Sequence, residues 1–177
     1  MKSKMKLLLS FLLASAMIAP LSANSYVDGI EYFKAGQPER ARILLERTLN
    51  DPETKKAESY YYLGEIAFLN KDYAKAQEYY DKGVATDPMY GYNLIGQGKL
   101  LLNKQDIKGA EALFKAATKL DKKNSGYQLA IAKAYYRTGT PGYEKYLEKA
   151  RKQDKNNPDC FMFIGDMKAD AKDNGAA

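Results

Sequence analysis

The sequence predicts an all-α protein, a solenoid built of stacked helix pairs, on three observations. The stretch 57–88, AESYYYLGEIAFLNKDYAKAQEYYDKGVATDP, contains two segments whose apolar residues are spaced as on the buried face of a helix. A turn at Lys71-Asp72 separates the two segments. A shift of 34 residues repeats it: Gly64 falls on Gly98, Asp72 on Asp106, Ala76 on Ala110, Tyr80 on Phe114 and Asp87 on Asp121. With 45% apolar and 28% charged residues among 177, the chain has a globular composition. One helix pair cannot bury its own apolar face, so the repetition predicts that neighbouring pairs cover it.

The stretch 57–88 resembles the tetratricopeptide repeat family. The 34-residue unit of that family carries an aromatic residue, Leu-Gly, Ala, a second aromatic residue and Pro at fixed offsets. Those offsets hold Tyr60, Leu63-Gly64, Ala76, Tyr80 and Pro88. Two positions depart from the pattern, Ala67 where the family usually has Tyr and Gly83 where it has Ala. The resemblance implies a right-handed α-α superhelix whose first helices line a concave groove.

Residues 1–23 are predicted to be a secretory signal peptide. The basic start MKSKMK is followed by the 14 residues LLLSFLLASAMIAP and by the small-residue end LSA. A spanning helix needs about 20 apolar residues, and Ser10, Ser15 and Pro20 interrupt this run. We therefore expect an exported protein of the periplasm or cell envelope, cleaved near Ala23, with no stable membrane insertion afterwards.

Residues 24–177 are predicted to form the repeat array. Its units are expected near 22–56, 57–90, 91–124 and 125–157, with a partial unit at 158–177. The first unit is degenerate, because Asp28 stands where the repeat pattern requires Leu. Its second helix is expected to open at Pro38-Glu39, a residue pair suited to a helix start.

The third unit is rich in glycine. It contains Gly91, Gly96, Gly98 and Gly109. Close helix packing accounts for Gly98. The sequence offers no account of the other three.

The fourth unit lacks one residue in its turn. Thr140-Pro141 is expected to cap and open its second helix. Tyr143 then falls where Ala76 and Ala110 lie in the other units. The sequence therefore predicts either a remodelled turn or a pair of helices that splay apart.

The fifth unit begins at Pro158, with Phe161, Ile164 and Gly165 in register. Residues 172–177 match the turn of the earlier units. Either a lone capping helix closes the array, or the sequence is a fragment that lacks the last helix.

Residues suited to catalysis are scarce. The chain has no histidine, which removes the commonest general base and metal ligand, and its single cysteine, Cys160, allows neither a disulfide framework nor a zinc cluster. Cys160 is expected to be a small packing residue. We expect no enzyme activity, no catalytic residue, no metal and no cofactor.

The charge balance gives no sign of nucleic-acid binding. The net charge is +6. Without Lys2, Lys4 and Lys6 of the leader the chain has 25 basic and 22 acidic residues. The remaining charges are mixed in sign along each helix, whereas a nucleic-acid site usually presents a single-sign basic patch.

The resemblance places a partner-binding site on the concave groove. Matched by register, the groove residues are Glu58, Tyr61, Glu65, Phe68 and Leu69 in the second unit, Tyr92, Ile95, Lys99, Leu102 and Asn103 in the third, and Leu129, Lys133, Tyr136 and Arg137 in the fourth. Aromatic and aliphatic residues between Glu and Lys suit a peptide. Phe68, Leu102 and Tyr136 could instead be covered by the packing of the array itself. Tyr60, Tyr61 and Tyr62 are consecutive, so no single helix face can bury all three.

The expected function is that of a non-catalytic scaffold that binds a protein or peptide of unknown identity in this groove. Charge along the groove is expected to run from Glu65 to the basic Lys133 and Arg137. Some family members clamp acidic tails with Lys and Asn, but here Tyr61 and Glu65 occupy the first two clamp positions, so that mode is not implied.

Two other classes remain open. One is a structural arm or spacer of a larger envelope assembly, joined through its C-terminal half-repeat, with self-association through Phe161, Ile164 and Met167. The other is an enzyme or its regulatory subunit, which the missing histidine disfavours.

Overall fold

The computed structural model of the chain describes residues 25–175, with side-chain surroundings up to residue 170. The predicted signal peptide at 1–23 and the last two residues lie outside this range. Within residues 25–175 no strand occurs. The helices are α1 (Tyr26–Lys34), α2 (Pro38–Thr48), α3 (Lys56–Leu69), α4 (Tyr73–Thr86), α5 (Tyr92–Asn103), α6 (Ile107–Leu120), α7 (Ser125–Arg137), α8 (Tyr143–Gln153) and α9 (Pro158–Gly175).

The helices pack in pairs in chain order, α1 with α2, α3 with α4, α5 with α6 and α7 with α8. The first helices of successive pairs also pack on one another, since α3 contacts α1 and α5, and α5 contacts α7. Helix α9 follows α8 and rests on the last pair. The predicted all-α superhelical solenoid of helix pairs is confirmed.

Short polar turns separate the two helices of a unit. Asp72 and Asp106 cap the second helices, accepting hydrogen bonds from the backbone N–H of Lys75 (3.0 Å) and of Gly109 (2.9 Å). The predicted turn at Lys71-Asp72 lies between α3 and α4, with Lys71 at φ 60°.

The first unit begins with a capping box. The Asp28 carboxylate accepts a hydrogen bond from the Ser25 N–H at 2.7 Å, and the Ser25 hydroxyl accepts one from the Asp28 N–H. This explains why Asp28 replaces the expected Leu. Helix α2 starts at Pro38, at the predicted opening.

The turn of the fourth unit is remodelled. Helix α8 begins at Tyr143, so the prediction that Thr140-Pro141 caps and opens this helix is wrong. The turn between α7 and α8 spans residues 138–142, two residues more than the turns of the other pairs, so the missing residue does not shorten it. It reverses the chain through Gly139 and Gly142, at φ 65° and 114°, and these left-handed conformations delay the helix start. The Tyr143 ring packs edge-on against Tyr136, with ring centroids 5.4 Å apart.

Helix α9 runs without a break from Pro158 to Gly175. The turn predicted from residue 172 onward is therefore wrong for residues 172–175, which are helical. No proline or glycine interrupts the helix between Gly165 and Gly175, and Ala169 and Ala171 favour its continuation. Cys160 and Phe163 are buried and anchor α9 on α7 and α8.

Glycines allow aromatic rings of neighbouring helices to approach the first helices closely. A Cβ on Gly64 would clash with the Tyr80 ring, and a Cβ on Gly98 would clash with the Phe114 ring. Each of these rings comes from the second helix of the same unit. The close approach expected at Gly98 therefore has a defined partner, the ring of Phe114.

The structure also explains the other glycines of the third unit. Gly96 contacts the far side of the Tyr80 ring, Gly91 lies against Tyr127 and donates its N–H to the Tyr127 hydroxyl at 3.0 Å, and Gly109 meets the capping Asp106. A side chain at Gly91 or Gly96 would clash with an aromatic ring, and one at Gly109 would displace the Asp106 carboxylate.

Replacing Gly98 by Leu is expected to destabilise the array, because the buried Phe114 ring already fills the space. Overpacking of this kind costs about 1 to 3 kcal/mol, which calorimetry can measure. Gly165→Leu is the matched control, since no described atom lies within 4 Å of a Cβ at Gly165. If the melting temperature of Gly98→Leu equals that of the wild type, the assigned packing of α5 on α6 is wrong.

Candidate functional site

A cleft of about 270 Å³ opens on the concave side of the array. Helices α1, α3, α5, α7 and α9 all contribute to it. Its lining consists of Phe33, Lys34, Pro38, Tyr61, Tyr62, Glu65, Leu69, Tyr92, Gly126, Leu129, Ala130, Lys133, Arg137, Asp159, Met162 and Asp166. Because residues of α1 and of α9 line the same cleft, the superhelix curls around it.

Five aromatic rings form a contiguous row across four first helices, here called the aromatic ladder. Its members are Phe33, Tyr62, Tyr61, Tyr92 and Tyr127, and successive ring centroids lie 5.4, 5.2, 5.2 and 4.7 Å apart. Such spacings are favourable for aromatic pairs. Tyr60 points elsewhere and packs on Tyr79, so the three consecutive tyrosines divide between two sides of α3.

The tyrosines of the ladder keep their hydroxyl protons at neutral pH. Burial raises the pKa of Tyr61, Tyr62 and Tyr92, and nearby carboxylates add to the shift. Each hydroxyl that lines the cleft can therefore donate a hydrogen bond as well as accept one.

Beside the ladder lies a cluster of four side chains, here called the Glu65 node. The Glu65 carboxylate accepts hydrogen bonds from the Tyr80 hydroxyl at 2.8 Å, from the Lys99 ammonium at 2.6 Å and from the Arg137 guanidinium at 3.2 Å. Tyr80 belongs to the unit of Glu65, Lys99 to the next unit and Arg137 to the unit after that. One carboxylate thus connects three units.

Both charges of the central pair are buried, with Glu65 6% and Lys99 2% exposed. Burial acts to raise the pKa of Glu65, but Lys99, Arg137 and the hydrogen bonds outweigh it and hold the pKa below its usual value. Burial lowers the pKa of Lys99 to about 8, although Glu65 opposes that shift. The Lys99 ammonium also lies 4.0 Å from the centroid of the Phe68 ring. Glu65 is therefore ionised at neutral pH.

Charges of opposite sign face the cleft from its two last helices. Lys133 and Arg137 lie on α7, and Asp159 and Asp166 lie on α9. Burial lowers the pKa of Lys133, and so does Arg137, whereas Asp159 and Asp166 act in the other direction. Arg137 uses one nitrogen for Glu65, and its side chain is 32% exposed. Its remaining donors can reach a ligand.

The groove residues predicted from the sequence fall into three groups. Those that line the cleft are Tyr61, Glu65, Leu69, Tyr92, Leu129, Lys133 and Arg137. Those buried inside the array are Phe68, Ile95, Lys99 and Leu102. Glu58, Asn103 and Tyr136 lie outside the cleft lining, and the Tyr136 hydroxyl donates to Asp170 at 3.1 Å.

Burial of the second group follows from the tight packing of α3, α5 and α7. Ile95 and Leu102 belong to the core between α5, α6 and α7. Phe68 lies in the core of the second unit, and Lys99 is turned inward by Glu65. These four side chains pack inside the array and offer no surface to a partner.

The sequence-based prediction missed lining residues of the terminal helices. Asp159, Met162 and Asp166 of α9 occupy the repeat positions of Glu58, Tyr61 and Glu65, once the missing residue of the fourth unit is allowed for. Extending the register to the partial unit would have identified them. Phe33 and Lys34 of the degenerate first unit occupy the repeat positions of Phe68 and Leu69 when Gly29 is matched to Gly64, so the register could have identified them as well.

Comparisons with known proteins agree with this architecture. Residues 26–89 and 95–158 match the family model described as tetratricopeptide repeat. The chain is 30% identical over 154 residues to the TPR repeat-containing protein MJ1428 of Methanocaldococcus jannaschii, which covers 80% of this chain and 27% of that protein. The chain thus spans about a quarter of the length of this curated relative.

Solved structures share the fold at low sequence identity. The thermophilic TPR protein TTC0263 of Thermus thermophilus superimposes with a TM-score of 0.59 at 20% identity, over 80% of this chain and 82% of that one. MamA gives a TM-score of 0.50 at 20% identity, over 79% and 82%. Among the described residues, no helix has the length and apolar character needed to cross a membrane.

The family assignment rests on agreement between the 34-residue register, the packed helix pairs and the two matched stretches. The tetratricopeptide fold is typical of protein–protein interaction scaffolds, which are generally non-catalytic. This chain belongs to the tetratricopeptide repeat family.

Proposed function

We propose that this chain is a non-catalytic scaffold that binds an extended or helical peptide of a protein partner in the concave cleft. The observation that carries the proposal is the aromatic ladder, which borders a cleft with charged groups of both signs. A volume of about 270 Å³ is the volume that roughly nine water molecules occupy in the liquid. It suits a few side chains of a peptide.

The exposed edges of Tyr61, Tyr62 and Tyr92 supply the apolar contact area. Each ring packs against a neighbouring ring of the ladder, so little conformational freedom remains to be lost on binding. Rigid tyrosines of this kind give large contact area and a hydroxyl for hydrogen bonding. They are the anchors of the proposed interface.

The charges of the cleft favour one orientation of the bound peptide. An anionic group of the peptide fits beside Lys133 and Arg137 on α7, and a cationic group fits beside Asp159 and Asp166 on α9. Glu65 and Lys99 neutralise each other in the Glu65 node, so the charge gradient expected from Glu65 onward is replaced by one between α7 and α9. A peptide with charges of both signs is therefore preferred in one orientation. Cleft charges of both signs are unsuited to nucleic acid.

We also propose that the protein is exported to the periplasm or cell envelope. The basic start and the apolar run of residues 1–23 support this proposal. In protein recovered from its native host, the intact mass should correspond to a chain that begins near Asn24. A cytosolic species that retains residues 1–23 would exclude export.

A second candidate function is a structural arm or spacer of a larger envelope assembly. Phe161 on α9 favours it, because this residue is 55% exposed and does not line the cleft. In this case the partner contacts α9 and leaves the cleft unoccupied.

Binding to the cleft can be tested with peptides selected from a displayed random library on the full chain. We expect the selected peptides to combine apolar residues with both signs of charge. Tyr61→Ala and Lys133→Glu should each weaken binding by about fivefold or more, since loss of a central contact costs over about 1 kcal/mol. Titration calorimetry with one selected peptide measures the change.

Two matched variants serve as controls. Tyr60→Ala removes the neighbouring ring on the other side of α3, and Lys115→Glu makes the same charge reversal on the exposed surface of α6. Both should bind the peptide as the wild type does. Equal binding by the cleft variants and the controls would exclude the cleft, and binding that depends on Phe161 alone would favour the structural arm.

A further inference from the structure

One face of α9 repeats a packing site that is filled elsewhere in the array. In the second and third units a glycine of the first helix receives an aromatic ring, Tyr80 on Gly64 and Phe114 on Gly98. Gly165 is the glycine of α9 in the same register. Among the described residues, no atom lies within 4 Å of a Cβ built at Gly165. The site is open.

An exposed aromatic residue lies next to this open site. Phe161 precedes Gly165 by four residues, so the two share one face of the helix. The Phe161 side chain is 55% exposed. Of the other apolar residues of α9, Cys160 and Phe163 are buried against α7 and α8, Ile164 and Met167 are partly buried on the same core, and Met162 lines the cleft.

The open face is distinct from the concave cleft. Asp159, Met162 and Asp166 of α9 line the cleft. On a helix with 100° between successive residues, Met162 points about 100° from Phe161 and about 60° from Gly165, and Asp166 points about 100° from Gly165. A partner on the open face therefore leaves the cleft accessible.

We propose that a second copy of this chain covers this face, with the two α9 helices antiparallel about a two-fold axis and Phe161 of each copy on Gly165 of the other. The face is self-complementary, since it carries both the ring and the glycine that receives it, as a two-fold interface requires. The contact continues the packing of the array, in which an antiparallel helix inserts a ring at the equivalent glycine.

The charges on this face permit the pairing. Lys168 lies on the same side of α9 as Phe161, seven residues further along. When each Phe161 faces Gly165 of the other copy, the two Lys168 positions fall at opposite ends of the pair, about 15 Å apart along the axis at 1.5 Å per residue. That distance exceeds the Debye length of about 10 Å at 0.1 M salt. Repulsion between the two ammonium groups is therefore largely screened.

The dimer is expected to be weak. A single helix face from each copy buries less than the roughly 1,600 Å² of a standard interface. Association should therefore emerge only as the protein concentration rises.

Sedimentation equilibrium on the full chain over a range of concentrations tests the proposal. The average mass of the wild type should rise from that of one chain toward that of two. Phe161→Lys and Gly165→Leu should each remain at the mass of one chain, and circular dichroism should show both folded. The matched control is Ile43→Lys, which removes an equally exposed apolar side chain from α2 and should still associate.

Three outcomes would overturn the proposal. In the first, the wild type stays at the mass of one chain at every concentration. In the second, Phe161→Lys and Gly165→Leu still associate. In the third, Ile43→Lys loses association as completely as the α9 variants do. A synthetic peptide of residues 107–120, whose Phe114 occupies the equivalent site in the third unit, tests a rival occupant. If it binds the wild type but not Gly165→Leu while the chain stays monomeric, the face receives a foreign helix rather than a second copy.

Discussion

The concave side of this protein depends on one buried carboxylate. Glu65 lies on α3 and is held by Tyr80 of α4, Lys99 of α5 and Arg137 of α7. In a solenoid most contacts join nearest neighbours, whereas the contact from Glu65 to Arg137 joins residues 72 positions apart and passes over the third unit. This contact ties the second unit to the fourth, and so restrains the curvature that brings α1 and α9 to the same cleft.

Polar and apolar packing meet at Tyr80. Its ring fills the space between Gly64 of its own unit and Gly96 of the next, and its hydroxyl donates to Glu65. A ring of this size fits only because both first helices carry glycine there. The buried ion pair adds little net stability, because removing two charges from water offsets their attraction. Its effect is to fix the geometry, since any shift of α5 against α3 would strand a buried charge. The positions of the rings in the aromatic ladder depend on this arrangement of α3 and α5.

Much of the fold could be predicted from local signals. The 34-residue register and the caps at Asp72 and Asp106 act within a few residues, so the helix pairs follow from the sequence. The late start of α8 could not be predicted, because it depends on the left-handed glycines of a lengthened turn. Within the site, Tyr61, Tyr92 and Lys133 were recognisable by register. The inward turn of Lys99 and the meeting of α1 and α9 at one cleft were not, since burial and curvature arise from the packing of several units together.

The most direct test of the role of Glu65 compares the unfolding free energy of the wild type and Glu65→Gln as a function of pH. The pKa of Glu65 is lowered in the folded state, so its contribution is complete above the unfolded value of 4.5 and is lost as the pH falls through the folded value. At neutral pH the variant should lose about 3 to 5 kcal/mol, because Lys99 is left buried without its counter-charge. That loss should shrink as the pH falls below 4.5 and through the lowered pKa of folded Glu65, where the carboxylate of the wild type becomes neutral. Glu78→Gln is the matched control on the exposed surface of α4, between Lys75 and Lys82, and should lose far less. A Glu65→Gln variant as stable as the wild type at neutral pH, or a deficit that does not change with pH, would contradict the account.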